Sequence, residues 1–166
     1  GKRSYWATGK EISKKKASYY RDKFAQGATI VPRSFWFVRI RPSLLGFDHS
    51  FPPLETDPRA IEGAKAPYKD VRFEGNVESR FLYATLLSTD LLPFGNLGYR
   101  LVVLPIEPAG DHYKLLNVQE ARRLGYLSLA TWLEKAEGEW TIRRGAKAGK
   151  MSILQRLDRY RGLSAQ

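Results

Sequence analysis

The run TIVPRSFWFVRI, residues 29–40, constrains the fold more than any other segment. β-Branched and aromatic residues dominate it, which predicts a β-strand. Pro32 cannot donate a hydrogen bond to a sheet, so we place it at a strand start, a bulge or an edge, and we expect the strand proper to run over residues 34–40. Strict alternation of side chains along this strand would divide them between the two faces of the sheet. Phe35, Phe37 and Arg39 would lie on one face, and Trp36, Val38 and Ile40 on the other.

Periodicity along the rest of the chain predicts helices as well as strands. Three-to-four spacing of apolar residues predicts helices over residues 11–25, 77–87, 127–140 and 150–163. Strands are expected near residues 54–56, 70–76 and 99–108, with turns at 91–96 and at 108–111. Strands and helices do not alternate regularly. The predicted fold is therefore α+β, with a small mixed or antiparallel sheet flanked by helices and a helical C-terminal part.

The apolar stripes of these elements predict one shared core. A chain of 166 residues fits a single domain over residues 1–166 and is long enough to bury a sizeable core. We expect five residues, each from a different element, to be buried together: Trp36, Phe81, Val103, Leu133 and Leu157.

Charge is unevenly distributed along the chain. Residues 1–41 hold 11 Lys and Arg against 2 Asp and Glu, residues 42–120 hold 7 against 11, and residues 121–166 hold 10 against 4. The segments therefore carry net charges of +9, −4 and +6, within a total of +11. Basic ends around an acidic middle favour a polyanion-binding face built from both ends of the chain. An uneven solvated surface is the alternative.

Residues typical of catalytic and metal sites are scarce. The chain has no Cys, and its two His, His49 and His112, are far apart in sequence, so we expect neither a disulfide nor a His-based metal site. No phosphate-binding loop occurs. Glu55 and Asp57 would share a strand face, which leaves a divalent-metal nuclease as a minor alternative. No apolar run is long enough for a membrane span, so we expect a cytoplasmic protein.

Three blocks of the sequence resemble a known family. They are YYRDKFAQGATIVPRSFWFVRI (residues 19–40), APYKDVRFEGNVESRFLYATLLSTDLLPF (66–94) and ILQRLDRYRGLSAQ (153–166). In content and order they resemble the region that follows the catalytic domain in large N6-adenine DNA methyltransferases of restriction-modification and phage-defence systems. In that family this part is the target-recognition region, which docks on duplex DNA.

The resemblance implies a DNA-binding role without catalysis. The family's Asn/Asp-Pro-Pro-Tyr/Phe motif is missing, since KAPY at residues 65–68 has one proline too few, and the glycine loop for the methyl donor is missing too. We therefore expect the chain to be a fragment of a larger enzyme. The fragment itself would have no catalytic residue and would bind no cofactor or metal. Its partners would be double-stranded DNA and the catalytic domain of the same chain, and S-adenosylmethionine would belong to the parent enzyme.

The candidate DNA contacts are basic residues at both ends of the chain. Arg suits phosphate or guanine because its planar fork bonds either in a bidentate way, and Lys supplies charge for the backbone. The candidates are Lys14, Lys15, Lys16, Arg33, Arg39, Arg41, Arg143, Arg144, Lys147 and Lys150. Two alternatives stay open. The arginines could instead pair with the acidic middle at Glu55, Asp57, Glu62, Asp70 and Glu74, and the whole domain could be a scaffold that binds protein.

Overall fold

A computed structural model describes residues 29–62, 64, 66–110, 112–145 and 149–158. The strands are β1 Phe37–Ile40, β2 Pro53–Thr56, β3 Glu74–Asn76, β4 Leu82–Thr85, β5 Leu91–Leu92, β6 Gly95–Asn96, β7 Arg100–Val103, β8 Ile106–Ala109 and β9 His112–Leu115. The helices are α1 Arg33–Trp36, α2 Pro58–Ile61, α3 Val118–Arg123, α4 Leu127–Arg143 and α5 Ile153–Asp158. The predicted α+β fold, with an antiparallel sheet and a helical C-terminal part, is confirmed.

Five strands form the main sheet, in the order β3-β2-β1-β7-β4, and every neighbouring pair is antiparallel. Ile40 pairs with Leu54 and Val38 pairs with Leu101, so β1 ends where β2 and β7 begin. We call this side of the sheet the Arg41 end, and the opposite side, where β1 begins, the Phe37 end. Two further hairpins, β5–β6 and β8–β9, lie outside the main sheet.

The longest described helix, α4, packs beside β3. At its start the Glu78 carboxylate, just after β3, accepts the backbone N–H groups of Ser128 and Leu129. Near its middle Lys135 donates to the carbonyl of Glu74 in β3, and at its end Arg143 donates to the carbonyl of Pro67, ahead of β3. Its inner stripe fits helical spacing, and the buried residues are Leu129, Ala130, Trp132, Leu133, Ala136 and Trp140. No described helix is long and apolar enough to cross a membrane.

The core prediction is confirmed. Trp36, Phe81, Val103, Leu133 and Leu157 all belong to one cluster of buried side chains. Aromatic contacts connect its parts: Phe35 packs on Phe73, Phe73 packs on Trp132, and Trp132 also donates its indole N–H to the carbonyl of Phe35. The first turn after Pro32 is therefore fixed directly against α4.

The predicted strand over residues 34–40 is wrong in its first half. Arg33–Trp36 forms a helical turn, and β1 starts only at Phe37. The predicted alternation fails too, because Phe37 and Val38 are both buried whereas Arg39 and Ile40 are both exposed. Burial therefore changes along β1 rather than across it, and β7 shows the same change, whereas burial alternates along β2, in which Leu54 is buried opposite Ile40.

The predicted helix over residues 77–87 is also wrong. A single 3₁₀ turn, Ser79–Phe81, leads into strand β4, whose four residues pair with β7. Val77 and Phe81 are buried as the helical spacing required, but Ala84 is exposed. Pairing with β7 overrides the weak local preference for helix, and Leu, Tyr and Thr fit a pleated surface well.

The remaining predicted elements differ from the structure mainly at their boundaries. The strand expected over 70–76 is only β3, and Gly75 lies within it rather than ending it. The strand expected over 99–108 breaks at Pro105 into β7 and β8, because β8 pairs with β9 instead. The turn at 108–111 closes that hairpin, with Gly110 at φ 72°. Helix 127–140 is confirmed as α4, and α3 was missed. The helix expected over 150–163 is α5 in its described part, whereas residues 159–163 and the helix expected over 11–25 lie outside the described residues.

Candidate nucleic-acid interface

The structure describes six of the ten basic residues that we expected to contact DNA. They are Arg33, Arg39, Arg41, Arg143, Arg144 and Lys150. The other four, Lys14, Lys15, Lys16 and Lys147, lie outside the described residues. The six divide into two groups, one at each end of the main sheet.

Arg39 and Arg41 lie at the Arg41 end, and both pair with carboxylates of neighbouring strands. Arg39 Nη2 is 2.6 Å from Glu55 Oε1, and Arg41 Nη1 is 3.3 Å from Glu74 Oε2. Both arginines therefore pair with the acidic middle of the chain, which was one of the alternatives that the sequence left open. Both remain about half exposed, and an exposed pair of this kind contributes at most about 1 kcal/mol to stability. Either guanidinium can therefore exchange its carboxylate for a phosphate at low cost.

Arg143 and Arg144 hold the C-terminal end of α4 to two neighbouring segments. Arg143 pairs with Glu139 at 2.7 Å and donates to the carbonyl of Pro67. Arg144 donates to the carbonyl of Met151, which also accepts the indole N–H of Trp140. Both arginines therefore have a structural role whatever else they bind, so neither suits a simple binding test.

These contacts bring together cations from three segments of the chain. We call Lys69, Arg72, Arg143, Arg144 and Lys150 the basic cluster. Its members come from the loop before β3, from the end of α4 and from the turn before α5. Lys69, Arg72 and Lys150 are exposed. A groove of about 500 Å³ begins beside Arg72 and follows α4 as far as Lys135.

Sequence reasoning missed Lys69 and Arg72. Both lie in the segment with net negative charge, so charge counting hides them. The contact between Arg143 and Pro67 is what brings this loop to the end of α4, and no local pattern predicts a contact across 76 residues.

The two groups of predicted DNA contacts do not meet. Arg41 pairs with Glu74, whose carbonyl accepts a hydrogen bond from Lys135 in the middle of α4, about 12 Å of helix before Arg143 at 1.5 Å per residue. Arg33, at the start of α1, belongs to the Phe37 end, where Phe35 contacts Tyr68 and Tyr68 stacks on Trp140. Among the described residues, the Phe37 end is therefore the side on which predicted DNA contacts come together.

The charge excess lies mostly outside the described residues. The described ranges hold 16 Lys and Arg against 14 Asp and Glu, whereas residues 1–28 hold 8 against 2 and residues 159–166 hold 2 against none. The described fold is thus nearly neutral, and the first 28 residues alone carry a net charge of +6. A polyanion would be attracted chiefly by these terminal segments.

The buried carboxylates stabilise local structure. Asp90 is buried and accepts two short hydrogen bonds from the Arg100 guanidinium, of 2.7 and 2.6 Å. The hydrogen bonds from Arg100 lower the pKa of Asp90 from 3.8 to about 2, with help from the backbone N–H of Leu87. The pair closes the base of the segment that carries the β5–β6 hairpin.

The two carboxylates considered for a metal-dependent nuclease, Glu55 and Asp57, each pair with an arginine. Asp57 lies beyond β2, where it caps α2 through the N–H of Arg59 and pairs with the Arg59 side chain at 3.2 Å. Glu55 pairs with Arg39. The sequence had suggested that Glu55 and Asp57 share one strand face, and in the structure they do not. No group of three or more His, Cys, Asp or Glu that could hold a metal ion occurs in the part of the chain that the structure describes.

Comparison of the chain with protein-family models, with curated proteins and with solved structures gives no match.

Proposed function

We propose that this chain is a DNA-binding domain of the target-recognition type, which positions duplex DNA for the catalytic domain of an N6-adenine DNA methyltransferase. The observation that carries the proposal is the basic cluster. Folding gathers its five cations from three separate segments, and these outnumber the acidic residues nearby in sequence, Asp70, Glu74 and Glu139. The order of the three sequence blocks supports the same function.

In this function the domain would bind rather than catalyse. The basic cluster would contact phosphates and fix the position of the duplex, with the cationic segment 1–28 adding attraction that depends on salt. Arg33 and Arg39 are the candidates for reading bases, so their substitution should change the sequence preference of the full-length enzyme rather than its affinity alone. The parent enzyme would act in the cytoplasm.

A duplex-binding titration at several salt concentrations tests the proposal. The test variant is Lys69→Gln with Lys150→Gln, because both side chains are exposed and no described contact depends on them. The matched control is Lys114→Gln with Arg123→Gln, which removes two positive charges from β9 and α3 instead. Both double variants have the same net charge, so a difference between them reports position and not charge.

We expect weak binding by the parent chain, with a dissociation constant of roughly 10⁻⁴ to 10⁻⁶ M, that weakens steeply with salt. The test variant should bind less tightly, and its slope of log K against log salt should become shallower by about 2, since each substitution leaves one phosphate without its cation. The control variant should keep the parent slope. An equal weakening in both variants would show that the basic cluster is not the contact surface.

A protein-binding scaffold is the second candidate, and one observation favours it. The described fold carries only a small charge excess, and Arg39 and Arg41 are already paired. A parent chain whose duplex affinity shows no dependence on salt would support the scaffold and exclude the first proposal.

The absence of methyl-donor motifs gives a separate test. The chain should bind no S-adenosylmethionine, since both the donor loop and the Pro-Pro motif are missing from its sequence. Titration calorimetry that detects micromolar binding of the donor would contradict this expectation and the division of labour between the two domains.

A further inference from the structure

Gly138 is the one glycine within the described helices, and nothing in the described fold requires it. It lies in the interior of α4 and is exposed. Its backbone is not in the left-handed region, and a Cβ built on it would meet no described atom within 4 Å beyond the backbone of its own helix. Glycine destabilises a helix interior relative to alanine, and it is the residue used where a ligand approaches the backbone closely. A bound ligand would therefore explain a glycine that the fold leaves unexplained.

Gly138 lines the groove of about 500 Å³ between α4 and residues 72–74. Lys135, Gly138 and Ile142 follow at spacings of three and four, so they lie along one face of the helix. Any longer side chain at position 138 would occupy the groove. Its volume is in the range of pockets that hold small ligands, so it admits a short stretch of one nucleic-acid strand and not a whole duplex.

The groove contains two cations that no described carboxylate neutralises. Arg72 and Lys135 are exposed, and in the described part of the chain both donate to backbone carbonyls only. The two carboxylates of the groove have cationic partners that do not line it: Glu74 pairs with Arg41 at 3.3 Å, and Glu139 pairs with Arg143 at 2.7 Å. The groove therefore offers uncompensated positive charge beside a stretch of bare helix backbone.

We propose that this groove holds one strand of bound DNA by its sugar–phosphate backbone, with phosphates on Arg72 and Lys135 and the closest approach at Gly138. The inference rests on the proposed DNA binding and specifies where the strand runs: from the basic cluster, to which Arg72 belongs, along α4 to Lys135. Charge complementarity selects this occupant, because cations at two places along the groove match a chain of phosphates rather than a single one.

Gly138→Gln tests the groove, and Gly138→Ala is its matched control. Both introduce a better helix former at a position with open space, so both should raise the melting temperature. Glutamine fills the groove, whereas alanine adds one methyl group. In anisotropy titrations of duplex DNA, the glutamine variant should bind about tenfold more weakly, with a slope of log K against log salt shallower by about 2. The alanine variant should bind as the parent does. A purely structural role of position 138 would not weaken binding in a variant that is more stable.

Lys135→Gln is the second variant, because it removes a cation that lies outside the basic cluster. Its slope should be shallower by about 1. The proposal is overturned by a folded Gly138→Gln variant with the affinity and slope of the parent or, if that variant does not fold, by a Lys135→Gln variant with the parent slope. If Lys69→Gln with Lys150→Gln still weakens binding in that case, the proposed function stands and only the groove is excluded.

Two other results would also overturn the proposal. A parent chain without salt-dependent duplex binding would exclude both the groove and the proposed function. Deoxyadenosine monophosphate that displaces the duplex as well as an equal concentration of DNA phosphate does would assign the groove to a free nucleotide instead.

Discussion

Glu78 connects the turn before β4 to the start of α4 and gives the sharpest stability prediction. Its carboxylate is largely buried and accepts the N–H of Ser128 at 3.0 Å and that of Leu129 at 2.8 Å. The first backbone N–H groups of a helix have no partner within the helix, and the helix dipole favours a negative charge beside them. A side chain 50 residues upstream thus acts as the cap.

The cost of removing this cap can be worked out from the burial of the two donors. Leu129 is fully buried, so in Glu78→Ala its N–H loses its partner, at about 1–3 kcal/mol. Ser128 is only partly buried, so water can replace the carboxylate there. Loss of the charge beside the helix start adds about 0.3–1 kcal/mol. We expect Glu78→Ala to lower the free energy of unfolding by about 1–4 kcal/mol, and Glu78→Gln, which keeps one acceptor, by about half as much.

Urea unfolding followed by tryptophan fluorescence measures the effect, because Trp132 and Trp140 lie on α4. Glu134→Gln is the matched control. It makes the same substitution on the exposed side of α4, where Glu134 pairs with Arg122, and should cost less than about 1 kcal/mol. If the free energy of unfolding of Glu78→Ala lies within about 0.5 kcal/mol of the parent value, the carboxylate does not stabilise the start of α4 and the prediction is wrong.

Three further outcomes are expected. Leu133→Ala should lower the free energy of unfolding by about 2–5 kcal/mol, because the side chain is buried in the core, and a melting temperature unchanged from the parent would contradict its packing. Asp90 has a pKa of about 2 in the folded chain, below its value in the unfolded chain, so its contribution to the free energy of unfolding is complete above about pH 4 and is lost as the pH falls towards 2. The difference in stability between the parent and Asp90→Asn should therefore shrink over that interval, as urea unfolding at a series of acid pH values would measure. Replacing Lys14–Lys16 by Glu should weaken duplex binding equally for two unrelated DNA sequences, because phosphate contacts carry no sequence information, and anisotropy titrations that show unchanged binding would favour the scaffold.

Elements with a strong, self-consistent pattern could be predicted from the sequence. Helix α4 follows the spacing of Leu129, Leu133, Ala136 and Trp140 almost to its observed bounds. The hairpin β8–β9 follows its turn residues. Helix α3 also had a readable signal, since Asn117 and Glu120 form a capping box in which each accepts the other's backbone N–H. The hydrogen bonds that Glu120 accepts from the Lys114 side chain and from the backbone N–H of Asn117 lower the pKa of Glu120.

The candidate interface could be predicted only as a list of charges. The sequence identified Arg39, Arg41, Arg143 and Arg144 as basic, but their partners come from strand register and from contacts across as many as 76 residues. Arg39 meets Glu55 because β1 and β2 pair in that register, and Arg143 reaches Pro67 because α4 ends beside that loop.

The sequence by itself therefore determined which residues require burial and where most of the charge lies: the five core positions and the cationic first 28 residues. Only the tertiary structure decided what covers each side chain. It folded Arg33–Trp36 into a helical turn, extended Leu82–Thr85 into a strand at the edge of the described sheet and paired Arg39 and Arg41 with carboxylates of neighbouring strands. Local periodicity reports the preference of a residue for water or for the core, whereas the partner that satisfies a charge or a backbone group depends on which distant segment packs beside it.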